Sequence, residues 1–353
     1  MLKYPTLGPE FLEEISEMYL KPVVLFSGGL DSFLVGKLLS DTVPWLFIDY
    51  GQAYANVEDQ VSNKLAQLHR RPYDKIVISK EPHKPDLAAD DPNAFVPARN
   101  LMLASIAVAQ GYETIYIGGV KDDMVCDNTP HAHAEMARVL SLFANKKINV
   151  IAPLSGTSKV EAIQQFAASE YHLKATTRAA YRDLKQTFSC FDPQGMNPCL
   201  KCKACVRWSV AMNAAGIKVP LPHRDALLDY VYRLHEYSRD RQWSLLKAMG
   251  RLYDIHEVDI DGVLTIEPET GSCKVLDWNH YYRKCKPKQD AIDCLHAWAG
   301  AGDIIILHTA RPEINRDVTV KWLEGHNVDH HALLMEKLPV HHIYDDKALL
   351  SIP

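Results

Sequence analysis

The sequence predicts two α/β domains joined by a helical connector, the first built on a doubly wound parallel sheet. Three observations carry this. Short apolar runs alternate with helical stretches from Lys21 to about Ile217, the texture then changes to proline-broken and charged, and the same alternation restarts at Asp254.

In the first stretch PVVLF, VPWLFIDY and DKIVIS read as buried strands, with LVGKLLS and a polar run from about Asn56 to Leu68 as the helices between them. Strands separated by helices must run parallel, because the crossover returns the chain to the same edge. LMLASIAVAQGY and TIYIGGV extend the pattern by one helix and one strand. After Ile217, KVPLPHRD carries two breaking prolines, and DALLDYVYRLHEYSRDRQWSLLKAM has apolar residues at helical spacing. The boundaries expected are a first domain over 1–217, a connector over 218–253 and a second α/β domain over 254–353. In the latter, IHEVDIDGVL, DIIILHTA and HHIYDD read as strands, with helices around DAIDCLHAWAGAG and VTVKWLEG.

Composition narrows the class. At 353 residues there is enough chain for two cores. A formal charge of −5 gives no reason to expect tight binding to a bare phosphate backbone. The N-terminal stretch MLKYPTLGPEFLEEISEMYLKP lacks a basic start and apolar run, and no apolar stretch reaches the ~20 residues of a membrane span. A soluble, cytoplasmic protein is expected.

Ser27-Gly28-Gly29-Leu30-Asp31-Ser32 follows the first strand and opens a helix. Exposed amides and the dipole at a helix start stabilise phosphate, and glycines let the backbone approach it. The spacing and lysine of the Walker loop are missing. The segment resembles the SGGxDS loop of the N-type ATP pyrophosphatases, whose adenine nucleotide alpha hydrolase-like PP-loop fold agrees with the doubly wound sheet. FIDYGQAYANVED, Val96-Pro97-Ala98-Arg99-Asn100, Ile117-Gly118-Gly119-Val120, Cys126-Asp127, Pro153-Leu154 and Ser158-Lys159-Val160-Glu161 follow in the order of the blocks of the 7-cyano-7-deazaguanine (preQ0) synthase, or QueC, family. The resemblance covers residues of about 20 to 217.

This resemblance implies a ligase of queuosine biosynthesis. It would adenylate 7-carboxy-7-deazaguanine with ATP, form the amide with ammonia, then activate and expel the amide oxygen to leave the nitrile. Ser27, Gly28, Gly29 and Ser32 would cradle pyrophosphate, Asp31 would help hold Mg²⁺, and Arg99 or Lys159 would offset phosphate charge. Tyr50 and Gln52 lie in the matching YGQ segment as substrate-binding residues. The segment Met124-Val125-Cys126-Asp127-Asn128-Thr129-Pro130 departs from the family's YPDCR, although Asp127 retains a carboxylate able to read a deazaguanine's amino and ring N–H groups. That departure leaves a second reading open, in which the activated carboxylate is joined to an amine on a protein or other macromolecule. The resemblance also implies a homodimer. From another class altogether, a zinc-stabilised interaction protein without catalysis is the third reading.

Of eight cysteines, four occupy Cys190-x8-Cys199-x2-Cys202-x2-Cys205. Four thiolates at such spacing can close around one tetrahedral Zn²⁺ with no open position, which makes a structural site and fits a reducing compartment. An iron–sulfur cluster is the competing reading, favoured by ligand softness but not by this spacing. TFSCF and PCLKCKACVRW also resemble the zinc segment of the same family. Cys126, Cys273, Cys285 and Cys294 show no pairing pattern.

In the last domain Asp259 and Asp261 leave one strand, Thr309 ends another, Lys337 precedes the third and Asp345-Asp346 end it. Open α/β sheets place ligands at that carboxyl edge. With the wording HTARPE and YDDKA, the set resembles the haloacid dehalogenase (HAD)-like phosphatases. That resemblance implies Asp259 as nucleophile, Asp261 as acid and base, Thr309 and Lys337 on the phosphoryl group, and Mg²⁺ held by Asp259, Asp261 and Asp345 or Asp346. Only some twenty residues separate Thr265 from the helix expected to begin near Pro287, too few for a substantial lid domain. Paired aspartates at a strand end also serve as loop caps, the bland alternative.

Overall fold

The computed structural model describes residues 21–78, 96–121, 126–172, 177–236, 239–268 and 277–337. The chain divides into two compact units, 1–223 and 224–353, so the helices after Arg224 group with the C-terminal sheet.

The N-terminal unit is built on β1 (Pro22–Leu25), β2 (Trp45–Asp49), β3 (Tyr73–Val77), β4 (Thr114–Tyr116) and β5 (Asn149–Ile151). Their order is β3-β2-β1-β4-β5, and every adjacent pair is parallel. From β1 at the centre of the sheet the chain builds outward through β2 and β3, and returns to the other side of β1 for β4 and β5. The carboxyl ends of β1 and β4 are thus the switch point, where such sheets leave a crevice for ligand. β1 and β2 are apolar on both faces because helices cover both: Val23, Val24, Trp45 and Leu46 are all buried. Phe26 stacks on Trp45 with ring centroids 4.0 Å apart and an interplanar angle of 15°.

The helices are α1 (Leu30–Leu38), α2 (Ala55–Leu68), α3 (Arg99–Ala109), α4 (Pro130–Ala144), α5 (Lys159–His172), α6 (Thr177–Leu184) and α7 (Lys203–Ala214). Their ends follow local chemistry. Thr129 caps α4 by accepting from the Ala132 N–H at 3.1 Å, with Pro130 in the first turn, and Asn145 ends the helix at φ 49°. Asp31 lies in the first turn of α1, where the dipole favours a carboxylate.

The C-terminal unit contains α8 (Arg224–Tyr232), α9 (Arg239–Met249), β6 (Ile255–Val258), β7 (Thr265–Ile266), α10 (Trp278–Lys284), β8 (Lys286–Pro287), α11 (Gln289–Ala301), β9 (Ile304–His308), α12 (Arg316–Gly325) and β10 (Ala332–Leu334). β10-β9-β6 form a parallel sheet, and β7 pairs antiparallel with β8. Its core joins Val258, Ile305 and Leu307 from the strands and Ile260 from the loop after β6 to Ile292, Leu295 and Trp322 from the helices. The expected strand HHIYDD lies outside the described residues. Among the described residues β9 is flanked by β6 and by the three-residue Ala332–Leu334.

Candidate functional sites

The loop after β1 is shaped by contacts that only glycine permits. Gly28 has φ +70°, and a Cβ there would lie 2.9 Å from Val61 Cγ1 and 3.1 Å from the Ser62 nitrogen. Gly118, at the end of β4, sits so close that a Cβ would lie 2.8 Å from the Ser32 nitrogen. Hydroxyls complete the loop. Ser32 Oγ donates to the Gly29 carbonyl at 3.0 Å, and the Ser27 and Gly29 amides reach Ser32 Oγ and Ser27 Oγ at 3.4 Å.

Lys159, at the start of α5, places its Nζ 2.9 Å from Asp31 Oδ2, with the two side chains 10% and 21% exposed. Asp31 Oδ1 is buried with no hydrogen-bond partner. A buried carboxylate oxygen left over beside a phosphate-type loop is chemistry that fits a hard cation such as Mg²⁺.

These residues border a cleft of about 270 Å³ whose lining also includes Tyr50, Gln52, Glu58 and Arg99. Gln52 uses its amide within the chain, accepting from the Tyr50 N–H and donating to Glu58 Oε2, each at 3.0 Å, so it fixes the turn that carries Tyr50. Burial raises the Tyr50 phenol above its ordinary value, Arg99 opposes that shift and Glu58 adds to it. Burial alone would lower the Arg99 guanidinium, but Tyr50, Tyr54 and Asp127 beside it push it up instead. Asp127 Oδ2 accepts from the Asn100 N–H at 3.3 Å and its Oδ1 is buried without a partner. Among the described residues it is the neighbouring Asn128, held by His133 at 3.0 Å, that lines the cleft.

Cys190, Cys199, Cys202 and Cys205 converge with all four Sγ atoms within 4.8 Å of one another. Cys199 and Cys205 are 3.9 Å apart, near the ~3.8 Å separation of sulfurs on a tetrahedron with ~2.3 Å zinc–sulfur bonds. Backbone amides of Phe191, Cys199 and Cys202 point at Sγ atoms at 3.2–3.4 Å, which suits thiolates. Without a cation the thiols cannot share that charge. Hydrogen bonding by Cys190 and Cys205 pulls Cys202 down, while Cys202 pushes Cys190 up and Cys190 pushes Cys205 up. A soft dication would let all four ionise, so the donor set fits zinc.

In the C-terminal unit Asp259 and Asp261 leave β6 at the carboxyl edge of the sheet. Asp259 Oδ1 accepts from the Ile260 N–H at 2.7 Å, and Lys337 Nζ lies 3.8 Å from Asp259 Oδ2. Thr309 Oγ1 is 3.4 Å from Asp261 Oδ2. The Lys337 N–H donates to the Thr309 carbonyl at 2.9 Å, which sets Lys337 beside the pair. Asp345 and Asp346 lie outside the described residues.

Arg311, written in HTARPE but given no role by the sequence, holds Asp261 as a two-point fork: Nη2 to Oδ1 at 2.6 Å and Nε to Oδ2 at 2.9 Å. It is fully buried, lies 4.0 Å over the Tyr282 ring and donates to Thr319 Oγ1 at 3.1 Å. A mostly apolar strand followed by an arginine was the available signal, but its partner lies 50 residues away.

The N-terminal unit is thus of a defined class: a doubly wound α/β protein with a phosphate-type glycine loop at its switch point and a four-thiol cluster beside it. Residues 21–216, more than half of the chain, match the family described as queuosine biosynthesis protein QueC. The chain belongs to the QueC family. It is 28% identical over 229 residues to a 7-cyano-7-deazaguanine synthase of Leptospira interrogans, covering 56% of this chain and 88% of that protein. A synthase of the same name from Rhodopirellula baltica is 30% identical over 222 residues, covering 53% of this chain and 84% of that one. Residues 258–349 match the family described as PITM 1-3, LNS2 domain. Among solved structures, a predicted subunit of a tRNA methyltransferase from Methanocaldococcus jannaschii DSM gives a TM-score of 0.31 at 15% identity, covering 45% of this chain and 91% of that chain, a likeness too low to carry any argument. No helix among the described residues is long and apolar enough to cross a membrane.

Proposed function

We propose that the N-terminal unit is an ATP-dependent synthase that converts 7-carboxy-7-deazaguanine into 7-cyano-7-deazaguanine. The observation that carries this is the glycine loop at the switch point, with the Lys159–Asp31 pair and the unpartnered Asp31 Oδ1 in the same cleft. A carboxylate oxygen of the substrate attacks the α-phosphorus of ATP and pyrophosphate leaves. Ammonia then displaces AMP to give the amide. A second adenylation, on the amide oxygen, lets AMP depart with that oxygen as the nitrogen loses its protons and the nitrile forms. The loop amides and Ser32 bind the departing pyrophosphate, and Lys159 or Arg99 offsets its charge. Mg²⁺, held at Asp31, would neutralise phosphate charge. Zinc at the four cysteines would fold the segment after α6 rather than take part in the reaction.

The purified chain incubated with ATP, Mg²⁺, ammonium and 7-carboxy-7-deazaguanine should release AMP and give a base with the nitrile's mass. AMP without nitrile would favour an amine on a macromolecule as acceptor. No AMP would overturn the reading.

We infer for the C-terminal unit a Mg²⁺-dependent phosphatase of the HAD type, on the strength of Asp259, Asp261, Thr309 and Lys337 meeting at one sheet edge. Asp259 attacks phosphorus to form an aspartyl phosphate as the bond to the leaving oxygen breaks, Asp261 protonates that oxygen and then takes a proton from the water that releases phosphate, Lys337 and Thr309 hold the phosphoryl oxygens, and Arg311 fixes the direction of Asp261. Asp259→Asn should abolish hydrolysis of an aryl phosphate while sparing AMP formation. Loss of both activities would refute two independent sites.

A further inference from the structure

One wall of the nucleotide cleft is the thiol segment itself. Ser189, Cys190, Phe191, Ala204, Arg207 and Trp208 line it. That wall is joined to the glycine loop, because the Phe188 N–H donates to the Gly28 carbonyl at 2.9 Å. It is also joined to the cluster, since Cys202 caps the N-terminus of α7 and Cys205 Sγ approaches the Ser189 carbonyl at 3.5 Å. Arg207 follows Cys205 by two residues on α7. The rotation of that helix is fixed next to it, where the buried Trp208 donates from Nε1 to Thr187 Oγ1 at 3.2 Å. A long side chain in this place has its backbone set before any ligand arrives, which keeps the entropy cost of a contact low.

The charges bordering the cleft are Arg99, Lys159 and Arg207 against Asp31 and Glu58. The excess of cation over carboxylate suits an anionic ligand, and a guanidinium matches the paired oxygens of a phosphate or carboxylate with two parallel N–H donors.

We propose that Arg207 is a further substrate-contacting residue of this site, donating to an anionic oxygen of the bound ligand, either a phosphate of ATP or the carboxylate of the acid. The proposal rests on the synthase reading. Its test uses the full chain with Arg207→Met and Arg207→Lys, and reads zinc per chain, the melting midpoint, the dissociation constant of MgATP, and KM and kcat for 7-carboxy-7-deazaguanine. Arg207→Met should keep its metal and midpoint and lose roughly 10- to 100-fold in one constant, the loss of a single charged hydrogen bond. A change in MgATP affinity identifies the phosphate as partner, and a change in KM for the acid with MgATP unaltered identifies the carboxylate. Arg207→Lys should recover part of the same constant. Metal retained with every constant within about twofold of wild type overturns the proposal. If Arg207→Met loses its metal or unfolds, Arg207→Lys decides alone: a folded, metal-bound lysine variant with unchanged constants also overturns it. Wild-type chain that does not bind MgATP defeats the synthase reading itself, whereas wild-type binding with an indifferent Arg207 defeats only this inference.

Discussion

Gly118→Ala tests whether β4 and the glycine loop are built against each other. The new Cβ would lie 2.8 Å from the Ser32 nitrogen, 3.2 Å from the Asp31 carbonyl carbon and 3.2 Å from Ser32 Cα. All three are backbone atoms, so no side chain can swing aside, and ordinary contact requires the loop or β4 to move by roughly half an ångström. Overpacking of this kind costs about 1–3 kcal/mol, which lowers the melting midpoint by roughly 3–10 °C for a unit of this size. The displaced atoms belong to the residues that open α1 and bind the proposed anion. MgATP affinity should therefore fall by about tenfold or more, since misplacement of binding groups by a fraction of an ångström weakens their alignment. The control is Gly156→Ala, where the added Cβ meets nothing within 4 Å and both quantities should stay at wild-type values. Calorimetric titration with MgATP and thermal unfolding read the two effects. A Gly118→Ala chain that melts within about one degree of wild type and binds MgATP equally well would refute the reasoning.

Further outcomes follow from the same structure. Arg311→Met removes the buried partner of Asp261, whose side chain is 27% exposed, and should destabilise the C-terminal unit by roughly 2–3 kcal/mol in denaturant titration. Adding Asp261→Asn should recover part of that loss, and strict additivity of the two changes would show that the fork contributes nothing. Cys202→Ser should lower bound zinc and leave the chain poorly soluble, and a soluble, fully active variant would count against a structural metal. Burial lowers the His133 imidazole below 6.5, with Asp127 opposing, so below pH 6.5 the unfolded chain takes up a proton that the folded chain refuses. Stability should fall as pH drops from 6.5 toward the folded value and level off beneath it, with a shallower fall in His133→Gln. Identical pH profiles would rule out His133 as the source.

Local chemistry explains which parts of this protein could be read along the chain. The glycine loop was legible because its requirements lie within six residues: positive φ at Gly28, hydroxyls at Ser27 and Ser32, and a carboxylate at a helix start. The cysteine cluster was legible because short spacings alone bring the thiols within reach, and the structure gathers all four. The central strands announced themselves as runs apolar on both faces. β5 and β10 did not, since three residues carry no measurable period, and their strand character comes from pairing with β4 and β9.

The sequence by itself determined the parallel α/β character, the glycine loop, the four-thiol site and the QueC blocks, because each depends on residue types at short, fixed spacing. Tertiary structure decided the rest. It joined Lys159 to Asp31 across 128 residues, turned Gly118 from an ordinary turn residue into a steric requirement of the loop, and clamped Asp261 with Arg311. It also made the thiol segment a wall of the cleft that the glycine loop borders. The physical reason is common to all four. A contact between segments far apart in the chain is selected by the packing of the whole unit, and neither partner's neighbours in sequence record where the other will be.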